Sequence, residues 1–182
     1  MDDTFFNYLH RLELMAFFSG YPLIYALFFF VAGSRPSKTK WKGKIFFLLP
    51  FSYALTGTLY LGLQLRNLYP DYSMESIKQL MQPPWLIGWA ILSILFWIPV
   101  IARRPVLSLL HSFVFFFLLV KDMFFQLPAF ATDENIMRND MKLYTDSLLL
   151  NLGALFVVSL TYFLFIRLKR PTNSPVFIPE HK

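Results

Sequence analysis

Residues 34–44 read SRPSKTKWKGK, five Lys or Arg in eleven positions, and they stand between two long apolar runs. Short loops rich in Lys and Arg are retained on the cytoplasmic side of a membrane, so this one stretch points to both a class of protein and an orientation. The pattern recurs twice further along: Arg103 and Arg104 form a second basic junction, and Arg167, Lys169, Arg170 and Lys182 follow the last apolar run. Together with Arg35, Lys38, Lys40, Lys42 and Lys44 these make up 11 of the 17 Lys and Arg residues.

Between the basic segments lie five apolar stretches, at 12–33, 45–65, 85–102, 106–125 and 143–166. A bilayer core of about 30 Å takes about 20 helical residues to cross, which each stretch approaches. The expectation is an all-α integral membrane protein of five transmembrane helices, residues 1–170, followed by a flexible cytoplasmic tail, 171–182, that holds three prolines. With five crossings the basic segments share one side only if the N-terminus is outside and the C-terminus cytoplasmic. Ten of the 11 acidic residues then fall outside, leaving Glu180 within. The first apolar run is read as a retained helix rather than a signal peptide, because Asp2 and Asp3 precede it and it is too long for an h-region.

Composition agrees with this class: 56% of residues are hydrophobic, 15% are charged and the mean hydropathy is +0.49. The sequence pI of about 9.6 needs no nucleic acid to explain it, since the bases sit where topology places them. The absence of Cys removes disulfides, thiolate metal sites and thiol redox chemistry. A bacterial inner (plasma) membrane is the expected location.

Punctuation supports the five segments. Pro83 and Pro84 precede the third and Pro105 opens the fourth, where the first helical turn has no acceptor for the missing N–H. Trp85 and Trp89 are expected in an outer aromatic belt, Trp97 and Trp41 in an inner one. Pro22, Pro50 and Pro99 lie inside spans and predict kinks. Outside the spans, short interfacial helices are expected on the outer face. One is capped by Ser73 and carries Met74, Ile77, Leu80 and Met81; another is capped by Thr132 and begins Asp133, Glu134; the N-terminal Phe5, Phe6, Leu9 and Leu12 have similar one-sided spacing.

Function is sought among polar groups at membrane depth, which lipid penalises. Tyr53, Thr56, Gly57, Tyr60 and Gln64 recur at intervals of three and four and share one face of the second span. That stripe reads either as helix packing or as the wall of a polar cavity. In the fifth span Asp146 and Ser147 stand one turn above Asn151. Together with His10, Glu13, Lys121 and Asp122 they form a candidate outer ionisable cluster for an ion or proton, although Lys121 also suits snorkelling to headgroups. A candidate inner-leaflet polar site comprises Ser108, His111 and Ser112. Haem b would need a second imidazole at the depth of His111, which only a partner chain could supply, so no cofactor is expected from this chain and no metal site.

The chain has no HExxH, no GxSxG, no phosphate-binding glycine loop and no paired acidic motif of the kind that holds Mg²⁺ on a substrate diphosphate. Two readings of different classes remain. In one, the protein is a non-catalytic subunit or accessory factor, its partners being the lipid bilayer and other membrane chains or further copies of itself. In the other, an outward-facing polar cavity binds or transports a small solute, proton or ion. A weaker third is an oligomeric pore or membrane-disrupting effector.

Overall fold

A computed structural model describes residues 12–33, 41–70, 72–74, 77–78, 84–130 and 134–169. The N-terminal amphipathic stretch with His10, the Thr132 cap, Leu80, Met81 and the tail lie outside these residues. Every regular element among the described residues is helical. Helix α1 covers 12–18, α2 Tyr21–Gly33, α3 Trp41–Asn67, α4 Pro84–Leu92, α5 Pro99–Ala102, α6 Pro105–Phe130 and α7 Glu134–Lys169, with a 3₁₀ helix at Ser93–Trp97 between α4 and α5.

Four runs are long and apolar enough to cross a bilayer: Leu12–Phe30, Lys44–Asn67, Pro105–Asp122 and Tyr144–Lys169. The third of the five expected segments is shorter, with an apolar helical run of Pro84–Trp97. Proline is the cause. Ile98 is extended, at φ −73° and ψ 119°, as a residue before proline tends to be, and Pro99 restarts the chain as the first residue of α5.

Pro22 has a similar effect on the first segment. It has no N–H to give to Phe18, and the helix is interrupted by a turn at Ser19 and Gly20. By contrast α3 runs through Pro50 as one element. On the other side of the bundle, the short outer helix expected to begin at Asp133 is not separate from the fifth span. Glu134–Lys169 is one helix of 36 residues, with no Pro or Gly before Gly153 to stop it. Helices α6 and α7 therefore both continue beyond their apolar windows, by about 12–15 Å at 1.5 Å per residue.

Pairs of side chains fix the helix directions. Glu13 meets Gln64, Phe17 meets Tyr60, Tyr21 meets Tyr53 and Tyr25 meets Phe46, so α1 and α2 run antiparallel to α3. Phe18 stacks on Phe115 and Tyr21 bonds Ser108, which sets α6 antiparallel to α2 as well. Gly57 faces Ser93, Tyr53 faces Phe96 and Phe51 faces Trp97, giving the broken third segment the opposite direction to α3. Exposed Lys44, Arg103 and Arg104 thus gather at one end of the bundle.

Aromatic rings fill the centre: Phe18, Tyr53 and Phe115 are fully buried beside Leu14 and Leu49. The outer surface is apolar too, with Leu110, Phe117, Phe156, Leu160 and Phe165 exposed. A surface of this kind suits contact with lipid rather than water.

Candidate functional site

Polar groups occur in three layers, and the middle one is built around the interruption at Ser19 and Gly20. In an unbroken helix the Gly20 amide would bond Ala16 and the Phe17 carbonyl would accept from Tyr21. Here α7 supplies partners for both. The Gly20 amide donates to Ser147 Oγ at 2.9 Å, and Asn151 Nδ2 donates to the Phe17 carbonyl at 2.8 Å and to the Ser147 carbonyl at 2.9 Å. Asn151 Oδ1 accepts from Thr56 Oγ1 at 3.3 Å, which ties α3 to the same point. Ser19 Oγ donates to the Met15 carbonyl at 2.5 Å and lies 3.3 Å from Ser147 Oγ.

This approach requires glycine. A Cβ on Gly20 would stand 2.8 Å from the backbone of Ser147 and Leu148, atoms that cannot swing away. At Gly57 a Cβ would run into the Ser93 hydroxyl, so α3 and the 3₁₀ helix also meet at backbone distance.

The layer nearer the basic end centres on His111. Its Nε2 lies 2.9 Å from the Trp89 carbonyl, which can only accept, so this nitrogen carries the proton. Nδ1 in the neutral ring then accepts the Tyr53 hydroxyl at 2.7 Å. Trp89 returns the contact, its indole N–H donating to the His111 carbonyl at 3.1 Å while the rings stack at 4.7 Å and 6°. Both imidazole nitrogens are engaged, and a metal at either would displace one of these bonds. Ser108 donates to the Pro105 carbonyl at 2.7 Å, leaving its oxygen to accept the Tyr21 hydroxyl at 2.8 Å. Ser112 closes on the Leu109 carbonyl at 2.8 Å.

The third layer, at the opposite end, is less complete. Gln64 is 4% exposed, and its Nε2 donates to Glu13 Oε2 at 3.2 Å. Its Oε1 is buried with no hydrogen-bond partner among the described residues. An acceptor left this way costs about 1–3 kcal/mol. Tyr60 packs its ring edge-on to Phe17 and Phe18.

The structure therefore divides the residues singled out from sequence. The α3 stripe is buried throughout, but its members face different neighbours: Tyr53 turns to His111, Thr56 to Asn151, Gly57 to Ser93, Tyr60 to Phe17 and Phe18, and Gln64 to Glu13. Glu13 joins the bundle, whereas Lys121 and Asp146 lie on the exposed surface. Trp89, placed by sequence in an interfacial belt, is half-buried against His111, while Trp85 remains 60% exposed. Ser19, Gly20, Tyr21 and Ser93 were not anticipated as contact residues. Only Gly20, two residues before Pro22 inside an apolar run, carried a local sign of a break. Among the described residues no three His, Asp or Glu side chains gather as metal ligands. No protein-family model, curated protein or solved structure matches the chain at a significant level.

Proposed function

We propose that the protein is a small non-catalytic subunit or accessory factor of a membrane complex, crossing a bacterial plasma membrane five times with its N-terminus outside. The observation that carries this reading is the use of the polar side chains. Asn151, Ser147, Thr56, His111, Tyr53 and Ser108 bond to one another, to Tyr21 and to backbone groups inside the bundle, joining its helices to one another. Such groups serve packing. The extensions of α6 and α7 beyond their apolar windows add length for contact with another chain.

Five crossings are supported by the position of the third segment. Ser93 and Phe96 face Gly57 and Tyr53, near the middle of α3, and the 3₁₀ stretch rises about 2.0 Å per residue against 1.5 Å in an α-helix, so 84–102 approaches 30 Å despite its break. Transport and pore formation have less behind them, since side chains from the other helices meet the α3 stripe along its length.

The chain has no Cys, so single cysteines report topology cleanly. A membrane-impermeant maleimide added to intact cells is expected to label Asp146→Cys and spare Arg103→Cys; the reverse pattern would invert the orientation. For function, the protein is purified in mild detergent after crosslinking in cells, and co-eluting chains are identified by mass spectrometry. A stoichiometric membrane-protein partner is the expected result. A lone monomer under all conditions would overturn the accessory role.

A further inference from the structure

We infer that Lys44, Arg103 and Arg104 form a seat for the phosphate headgroup of an anionic phospholipid at the basic end of the bundle. All three side chains are exposed. Phe51 meets Trp97, and from that contact Lys44 lies seven residues back along α3, about 10 Å at 1.5 Å per residue. Arg103 lies about as far along the antiparallel third segment, through extended Ile98 and the turn of α5, so the bases of the two segments stand at one level. The backbone that carries the arginines is fixed. The Arg103 amide donates to the Pro99 carbonyl at 3.1 Å and the Arg104 amide to the Ile101 carbonyl at 3.0 Å, while the Arg104 carbonyl accepts from the Leu107 amide at 2.9 Å.

The chain sets no carboxylate beside this charge. No acid stands between Glu13 and Asp71 or between Glu75 and Asp122, so α2 to α5 carry none. Glu13 meets Gln64 at the opposite end, and Asp122 is seventeen residues from Pro105, about 25 Å along α6. Asp146 adjoins Ser147, which meets Gly20 in the middle layer. Beyond Asp146 the sequence has Glu180 alone, against Arg167, Lys169, Arg170 and Lys182. The complement is an external anion, and a guanidinium matches phosphate with paired hydrogen bonds. The surface beneath makes that anion a lipid. Each base has an exposed apolar residue three positions away on the same face and deeper in the bundle: Phe47 for Lys44, Val100 for Arg103 and Leu107 for Arg104. A phosphate headgroup with acyl chains fits both halves, whereas a free phosphate fits only one. Orientation accounts for the side of the membrane the bases take, but it sets no preference between lipids, and that preference is what the experiment reads. The seat is independent of the accessory role, which is read from co-eluting chains.

Protein purified in dodecyl maltoside is titrated with phosphatidylglycerol, phosphatidylcholine or inorganic phosphate, with bound lipid counted by native mass spectrometry and Tm as the second measure. Phosphatidylglycerol is expected to bind about 10-fold more tightly than phosphatidylcholine, and inorganic phosphate at the same concentration to leave Tm unchanged. Arg103→Gln combined with Arg104→Gln should lose the preference, while Arg103→Lys combined with Arg104→Lys should keep most of it by keeping the charge. Arg66→Gln, at the other end of α3, should keep all of it. Should the double Gln variant fail to fold, Lys44→Gln decides, with the preference cut about 3-fold. Equal binding of the two lipids, or a full preference in the double Gln variant or in Lys44→Gln, would overturn the seat. A Tm rise with inorganic phosphate equal to that with phosphatidylglycerol would overturn the lipid as its occupant.

Discussion

Asn151 and Gln64 are both amides buried in the same bundle, yet one is saturated and the other is not. Asn151 uses both donors and its acceptor on Phe17, Ser147 and Thr56, drawing three elements to one point. Gln64 has its Nε2 on Glu13 and its Oε1 on nothing described. The difference separates a group that holds the fold from one whose partner lies elsewhere. In an apolar surrounding an amide is costly unless bonded, so a saturated one belongs to the packing and an unsaturated one marks a site. Substitution is the means to break or sharpen that contrast.

The largest effect is expected at Gly20, where the middle layer closes. Gly20→Val puts side-chain atoms against the Ser147 and Leu148 backbone and should cost about 3 kcal/mol, because neither helix can yield without losing the bonds of Ser147 and Asn151. Reversible unfolding in mixed micelles measures it; a change under about 1 kcal/mol would show that α7 does not approach this closely. Next is Asn151→Leu, which has the same branching at Cγ but is unable to bond the Phe17 carbonyl. About 2 kcal/mol is expected, toward the upper end for a polar contact within a membrane. Amide exchange at Ser19 and Gly20 should rise with it, and unchanged exchange would mean that the turn holds without α7.

How far the sequence foretold this depends on whether the cause was local. Proline effects at Pro99 and Pro22 were visible, since a missing N–H acts on its own helix whatever packs against it. The basic end was visible for a like reason: Lys44, Arg103 and Arg167 are placed by the surrounding solvent. Even so, the local signals were incomplete. Pro99 suggested a kink and produced a 3₁₀ segment and an extended residue, and no Pro or Gly between 134 and 152 marked an end for a separate outer helix. The side-chain partners were not legible. An amide at the depth of Asn151 calls for a partner, but that the partner is a backbone carbonyl 134 positions away depends on how α1 is interrupted. Trp89 illustrates the same limit, because an indole near a helix start reads as an interfacial anchor until His111 is known to stack on it.

A smaller effect is expected at Tyr53→Phe. The ring stays among Phe18, Tyr21, Phe96 and His111, and only the hydroxyl on Nδ1 is lost. About 0.6 kcal/mol is expected, the average for a hydrogen bond within a membrane. Imidazole nitrogen-15 shifts should still report Nε2 as the protonated nitrogen, since the Trp89 carbonyl and not Tyr53 sets that choice. A switch of tautomer would place the control with Tyr53.

The smallest effect is expected at Gln64→Leu, and its smallness is the point of the comparison. Removing the amide forfeits the bond to Glu13, about 1 kcal/mol, but also removes the buried Oε1 whose desolvation is uncompensated, a gain of similar size. The two nearly cancel, so the net change should lie within about 0.5 kcal/mol of zero where Asn151→Leu loses about 2 kcal/mol. If Gln64→Leu instead costs as much as Asn151→Leu, Oε1 has a partner that the chain itself provides, and both amides belong to the packing.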